Sequence, residues 1–126
     1  MVNVLLVFLG GGAGAGLRYL SVLWISRLFG AGFPAGTMVV NVAGSFAMGL
    51  LVGYLARRAE GVGEGMRLLL ATGFLGGFTT FSAYSLDFAA LWERQAVIAA
   101  LSYAVASVIL SLFAVFGGLW LARSFP

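Results

Sequence analysis

The 126-residue chain has no cysteine, no histidine and only four acidic residues. Without cysteine there is neither a disulfide nor a thiolate metal site, and redox usage says nothing about the compartment. Without histidine or cysteine, and with acids mostly at the ends of apolar segments, no acid–base or nucleophilic constellation can be assembled, so an enzyme is not expected. Charge is scarce altogether: 9% of residues are charged, 62% are hydrophobic, and the mean hydropathy is +1.08. That balance excludes a water-soluble fold. The net charge of +3 comes from seven arginines, which sit mostly near helix ends, where arginine anchors to headgroups. No basic patch is built on a soluble domain, so nucleic acid is not an expected partner.

What is present is apolar sequence in long uncharged runs, 28–56, 68–86 and 95–122, with a shorter one over 1–17 that ends at Arg18. A helix needs about 20 residues to cross roughly 30 Å of hydrocarbon. The runs predict an all-α membrane protein forming a single transmembrane domain, 1–126, with four helices at about 3–25, 36–56, 66–91 and 96–122. Short connections make neighbouring helices antiparallel, and a hydrophilic loop at 57–65 separates the halves. The first segment lacks a basic leader region and a small-residue cleavage site, so it is expected to stay as a span. Arg57, Arg58, Arg67 and Arg123 fall on the side of the termini, and Arg18, Arg27 and Arg94 towards the other. So even a split imposes little orientation. Two copies inserted in opposite senses could then pair about an axis in the membrane plane, and a dual-topology homodimer is expected.

Glycine is abundant, at 19 residues, and recurs at spacing four in Gly12 with Gly16 and Gly49 with Gly53. Such spacing lets helix backbones approach closely in lipid. The segment 10–15 fits a loose G-x-G-x-x-A dinucleotide fingerprint. No strand and helix alternation follows it, and the next acid, Glu60, is too distant for a ribose contact, so that reading is rejected. Helix two carries a row at spacing four, Thr37, Asn41, Ser45, Gly49 and Gly53. Asn41 has two amide donors that lipid cannot satisfy. Either an interhelical hydrogen bond worth about 1 kcal/mol or a polar path would employ them.

Helix three contains Gly73-Phe-Leu-Gly-Gly-Phe-Thr-Thr-Phe-Ser82 at mid-membrane depth. Interior glycines and β-branched threonines disfavour a helix, so a break is expected at Gly76 and Gly77. Non-helical backbone at this depth must be buried, line a cavity or hold an ion. Free carbonyls suit a hard cation such as sodium; free amides and the positive edges of Phe74, Phe78, Phe81 and Tyr84 suit an anion. Tyr103, Ser107 and Ser111 form a hydroxyl ladder on helix four, although a serine in such a helix often bonds back to its own carbonyl four residues earlier. Arg18 and Asp87 are the charges nearest to lying inside spans, and each should face water, a partner or a pathway, or in the case of Arg18 snorkel to the interface.

Three motifs, Gly10-Gly-Gly-Ala-Gly-Ala-Gly-Leu-Arg-Tyr19, Val40-Asn-Val-Ala-Gly-Ser-Phe46 and Gly76-Gly-Phe-Thr-Thr-Phe-Ser82, carry a resemblance over essentially the whole chain. The sequence resembles the Fluc (CrcB) fluoride channels. That resemblance implies passive, fluoride-selective conduction across the bacterial inner membrane that lowers cytoplasmic fluoride, with two pores per antiparallel homodimer. It also implies a structural sodium held by the carbonyls of Gly76 and Thr79 from both copies. The fluoride pathway would then involve Asn41, Phe81, Tyr84, Tyr103, Ser107 and Ser111, together with Arg18, which matches the arginine of the first motif, and Asp87. Tyr84 stands where the family usually has phenylalanine, and Asp87 where it has glutamate. A small proton-coupled multidrug exporter is the alternative; it needs an embedded carboxylate, for which Asp87 is the only candidate.

Overall fold

The computed structural model describes residues 1–58 and 63–125, which are helical almost throughout. The order is α1 (Val2–Phe29), α2 (Ala35–Arg57), the short α3 (Glu64–Arg67), a π-helical stretch (Leu68–Leu75), α4 (Gly76–Phe78), α5 (Phe81–Glu93) and α6 (Val97–Ser124). The helices extend one to four residues beyond most of the expected limits. Residues 59–62 of the expected 57–65 loop, with Glu60, lie outside the described residues. Helices α1, α2 and α6 are each long and apolar enough to cross a membrane. Large apolar side chains such as Phe8, Leu20, Trp24, Phe113 and Phe116 point outward from them, an arrangement stable in hydrocarbon rather than in water. The chain is a multi-pass membrane protein, an α-helical bundle with one bent member.

The bend does not fall on the glycines. Gly76 keeps right-handed helical angles (φ −63, ψ −37), and the chain leaves the helix at Thr79 (φ −84, ψ 158) and Thr80 (φ −154, ψ 124). The glycines are needed elsewhere, at the seam with α1. A Cβ on Gly73 would come within 3.1 Å of Gly10 Cα, one on Gly77 within 2.9 Å of Gly11 Cα, and one on Gly14 against the Phe74 carbonyl. Backbone contact with α1 thus offsets the propensity cost of a helical glycine. Threonine is the better terminator: Thr80 caps α5, its Oγ1 accepting from Ala83 N at 3.1 Å.

The second glycine seam joins α2 to α6, the most extensive helix pair. Gly49 lies against the Val115 carbonyl, Gly118 against the Phe46 carbonyl, and a Cβ on Gly53 would sit 2.7 Å from that of Ala122. In α1 the packed pair is Gly10 and Gly14; the expected pair, Gly12 and Gly16, meets nothing within 4 Å. The register is therefore offset by two residues, about 160° around the helix from the opposing backbone.

A small apolar core of Leu91, Ala100 and Tyr103 joins α5 to α6. Their tight turn places Gln95 in the left-handed region (φ 61). Arginines close the ends: Arg94 Nη2 donates to Gly32 O at 3.2 Å, and Arg57 Nη1 to Ala122 O at 3.0 Å, on the orphan carbonyls at the end of α6.

Because both seams are backbone against backbone, Gly14→Ala and Gly118→Ala should each destabilise the protein by about 1 to 3 kcal/mol. Gly32→Ala, in open space, should not. Thermal unfolding in detergent checks this, and equal midpoints for all three would refute the seams.

Candidate functional site

The unwound pair Thr79–Thr80 opens onto a groove of about 560 Å³. One wall is α2, with Asn41, Gly44, Ser45 and Met48. The floor is Gly76 together with the break, Thr79 and Thr80. Helix α5 adds Phe81 and Tyr84, and α6 closes the far side with Ser107, Val108, Ser111, Leu112 and Val115. Thr79 reaches this position because Gly44 has no side chain; the Thr79 methyl fills that place.

Leaving the helix removes the partners of several backbone groups, and side chains replace some of them. Asn41 forms a two-bond clamp on Thr80: its Nδ2 donates to Thr80 O at 2.9 Å, while Thr80 N donates to its Oδ1 at 2.8 Å. The pairing fixes which end of the amide is which and, among the described residues, leaves one Nδ2 hydrogen uncommitted on the groove wall. Arg18, from α1, donates through Nε to Gly77 O at 3.1 Å, so its charge lies at the carbonyl end of the first half of the bent helix. Leu75 O accepts from both N and Oγ1 of Thr79, each at 3.0 Å. Among the described residues the carbonyls of Gly76 and Thr79 receive no hydrogen bond. Both belong to residues that line the groove, and carbonyl oxygens are the hard donors a cation such as sodium takes.

The hydroxyl ladder of α6 divides. Tyr103 is fully buried outside the groove, its OH donating to Asp87 Oδ2 at 3.1 Å. Asp87 is likewise outside the groove, as is Arg18. Ser107 and Ser111 do line it. Ser107 is 4% exposed, and its buried hydroxyl has no partner among the described residues. It is not bonded back to Tyr103 O, whereas Ser85 and Ser124 each bond to the carbonyl four residues earlier at 2.9 Å. A buried hydroxyl without a partner costs about 1 to 3 kcal/mol, a cost a hydrogen-bond acceptor in the groove would relieve.

Aromatic rings pave one side. Phe81 is 77% exposed, and its centroid is 5.5 Å from that of Tyr84, which is 5.3 Å from that of Tyr103; Phe33 meets Tyr103 edge-on at 5.6 Å. The Tyr84 hydroxyl donates to Ala104 O at 2.9 Å, so its donor faces the α6 backbone and its ring faces the groove. Among the described residues no three acidic, histidine or cysteine side chains gather to hold a metal.

The CrcB-like protein, Camphor Resistance (CrcB) family profile matches residues 5–119. The chain belongs to the CrcB family. Within it, a protein named fluoride-specific ion channel FluC from Mesorhizobium japonicum is 58% identical over 126 residues, the whole of both chains. Proteins of the same name from a Chelativorans species and from Agrobacterium fabrum are 61% and 51% identical, each over 124 residues and 98% of both chains. The three motifs read from the sequence all fall within the CrcB match, and two of them, around Asn41 and around Thr80, meet in the clamp. Sequence reasoning misses Ser45 and Thr80 as groove residues. The spacing-four row on α2 holds a signal for the first, and a threonine just before an apolar helical run holds one for the second.

The clamp predicts a ranking of stabilities. Asn41→Leu leaves two polar groups of Thr80 without partners and should cost about 2 to 6 kcal/mol, whereas Thr80→Ala, losing the cap and an exposed contact with the Ser82 hydroxyl, should cost about 1 kcal/mol. Denaturant titrations in micelles measure both, and the reverse order would count against the clamp.

Proposed function

We propose that this protein is a passive, fluoride-selective channel of the bacterial inner membrane that lowers cytoplasmic fluoride. The observation that carries the reading is the unpartnered Ser107 hydroxyl, shut away from bulk water on a groove shared with the Asn41 amide and the Phe81 ring. The names of its similar relatives point the same way. Fluoride is small and strongly hydrated, so a path must offer closely placed donors in exchange for water, while larger halides are excluded by size. Ser107 and Ser111 offer hydroxyls, Asn41 its spare N–H, and Phe81 and Tyr84 the positive edges of their rings. Tyr103 backs the Tyr84 ring and Asp87 fixes the Tyr103 hydroxyl. Arg18 steadies the break through Gly77.

The groove is open on one side, and lipid cannot satisfy its hydroxyls, amide and carbonyls. A second copy of the chain, inserted in the opposite sense as the balanced arginines permit, is the cover that fits. Each copy would contribute four spans, the third crossing as two half-helices, and the pair would hold two pathways. Carbonyls of Gly76 and Thr79 from both copies would hold a structural sodium, whose charge would offset the repulsion of converging carbonyl dipoles. A proton-coupled drug exporter has less support, because its one candidate acid, Asp87, is outside the groove and bonded to Tyr103.

Protein purified into liposomes should release fluoride, read by a fluoride electrode, and retain chloride; equal fluxes of the two would overturn the reading. Ser107→Ala removes one donor and should slow fluoride release by roughly tenfold. Replacing sodium by an organic cation that carbonyls cannot coordinate should lower the thermal midpoint of the purified protein. An unchanged midpoint would remove the sodium from this account.

A further inference from the structure

Three helices carry polar side chains past the end of the groove. One turn beyond Asn41 on α2, Tyr84 on α5 and Ser107 on α6 come Thr37, Asp87 and Tyr103, all in the direction of the α1–α2 and α5–α6 connections. Thr37 is 6% exposed and Tyr103 is fully buried, so this next layer is closed to bulk water. Tyr103 packs against Tyr84, which lines the groove, and its hydroxyl donates to Asp87. The polar layer therefore continues the groove towards that end of the bundle.

Phe33 covers that layer. Its ring packs on the core of Leu91, Ala100 and Tyr103 and meets Tyr103 edge-on at 5.6 Å, yet it remains only half-buried. It belongs to the bend between α1 and α2, following Gly30 at positive φ (81) and preceding Pro34. Among the described residues the bend has one side-chain hydrogen bond to the rest of the chain, from Arg94 Nη2 to Gly32 O at 3.2 Å. Rings then run without a gap from Phe33 through Tyr103 and Tyr84 to Phe81 at the break. Neither Phe33 nor Arg94 lines the groove or belongs to the three sequence motifs.

We propose that Phe33 closes the mouth of the anion pathway at this end of the bundle, and that Arg94 holds it there through its bond to the bend. The proposal rests on the channel reading and assigns a step that reading leaves out, the passage from the buried layer to water. An ion crossing beside an apolar ring gives up water and gains no strong donor, so such a constriction limits the rate. Phe33 then sets how fast fluoride leaves, while the donors of the groove select which ion enters.

The chain has no cysteine, so Phe33→Cys introduces a single thiol at the mouth. The purified variant is labelled in detergent with methanethiosulfonates of similar size that carry an ammonium or a sulfonate, then placed in liposomes. Fluoride release should be about tenfold slower with the sulfonate label than with the ammonium label, because a like charge in a narrow opening repels the ion. A residue that only packs gives equal rates with two labels of similar bulk, and equal rates would overturn the proposal. A thiol that neither reagent modifies would also overturn it, since a mouth meets water. If the cysteine variant does not fold, Arg94→Met decides: it frees the bend with Phe33 in place and should release fluoride severalfold faster than wild type, and an unchanged or slower rate overturns the proposal. Wild-type protein that retains fluoride would overturn the channel reading, whereas wild-type release with equal label rates removes only the mouth.

Discussion

Two hydrogen bonds between the Asn41 amide and the backbone of Thr80 make it possible for a helix to stop and restart inside a membrane. Hydrocarbon offers no partner to a stray N–H or C=O, so an unwound pair of residues at this depth needs its polar groups matched by protein. Asn41 matches one donor and one acceptor, Arg18 takes the Gly77 carbonyl, and Thr80 caps the helix that follows. Among the described residues the Ser107 hydroxyl is left unmatched, on the groove.

The glycine seams serve the same constraint indirectly. They bring α1 against the first half of the bent helix and α2 against α6 at backbone distance. Only at that closeness can Arg18 and Asn41, two long-range partners on different helices, reach the break from either side. Packing in lipid has no hydrophobic drive between helices, so contact of this kind supplies the cohesion. On the channel reading proposed above, a site made of small donors gains from rigid walls, because a fluoride-sized ion rewards close placement and a loosened groove would admit larger anions.

Much of this was legible in the residues. Apolar runs and scarce charge determined a multi-pass helical membrane protein. The cluster around Gly76 and Thr79 marked the broken helix, and motif order marked the family. The break itself falls two to three residues beyond the expected glycines, because propensity ranks glycine as the weaker helix former in isolation, whereas here its lack of a side chain is used for contact with α1. The α1 packing register was missed for a related reason: Gly10, Gly12, Gly14 and Gly16 offer two interleaved pairs, and only the opposing backbone selects one.

Tertiary structure alone decided which polar groups are spent and which are free. Asn41 could have been glue or pathway by sequence, and the fold makes its amide mostly a clamp with one hydrogen to spare. Tyr103 and Ser107 share one ladder by spacing, yet the first is bound to Asp87 behind the groove and the second is unpartnered on it. Composition and periodicity determine that a segment is helical and lipid-facing because those properties depend on local chemistry and solvent. Whether a hydroxyl or carbonyl is satisfied depends on groups 16 to 59 residues away in the chain, and only folding brings those together.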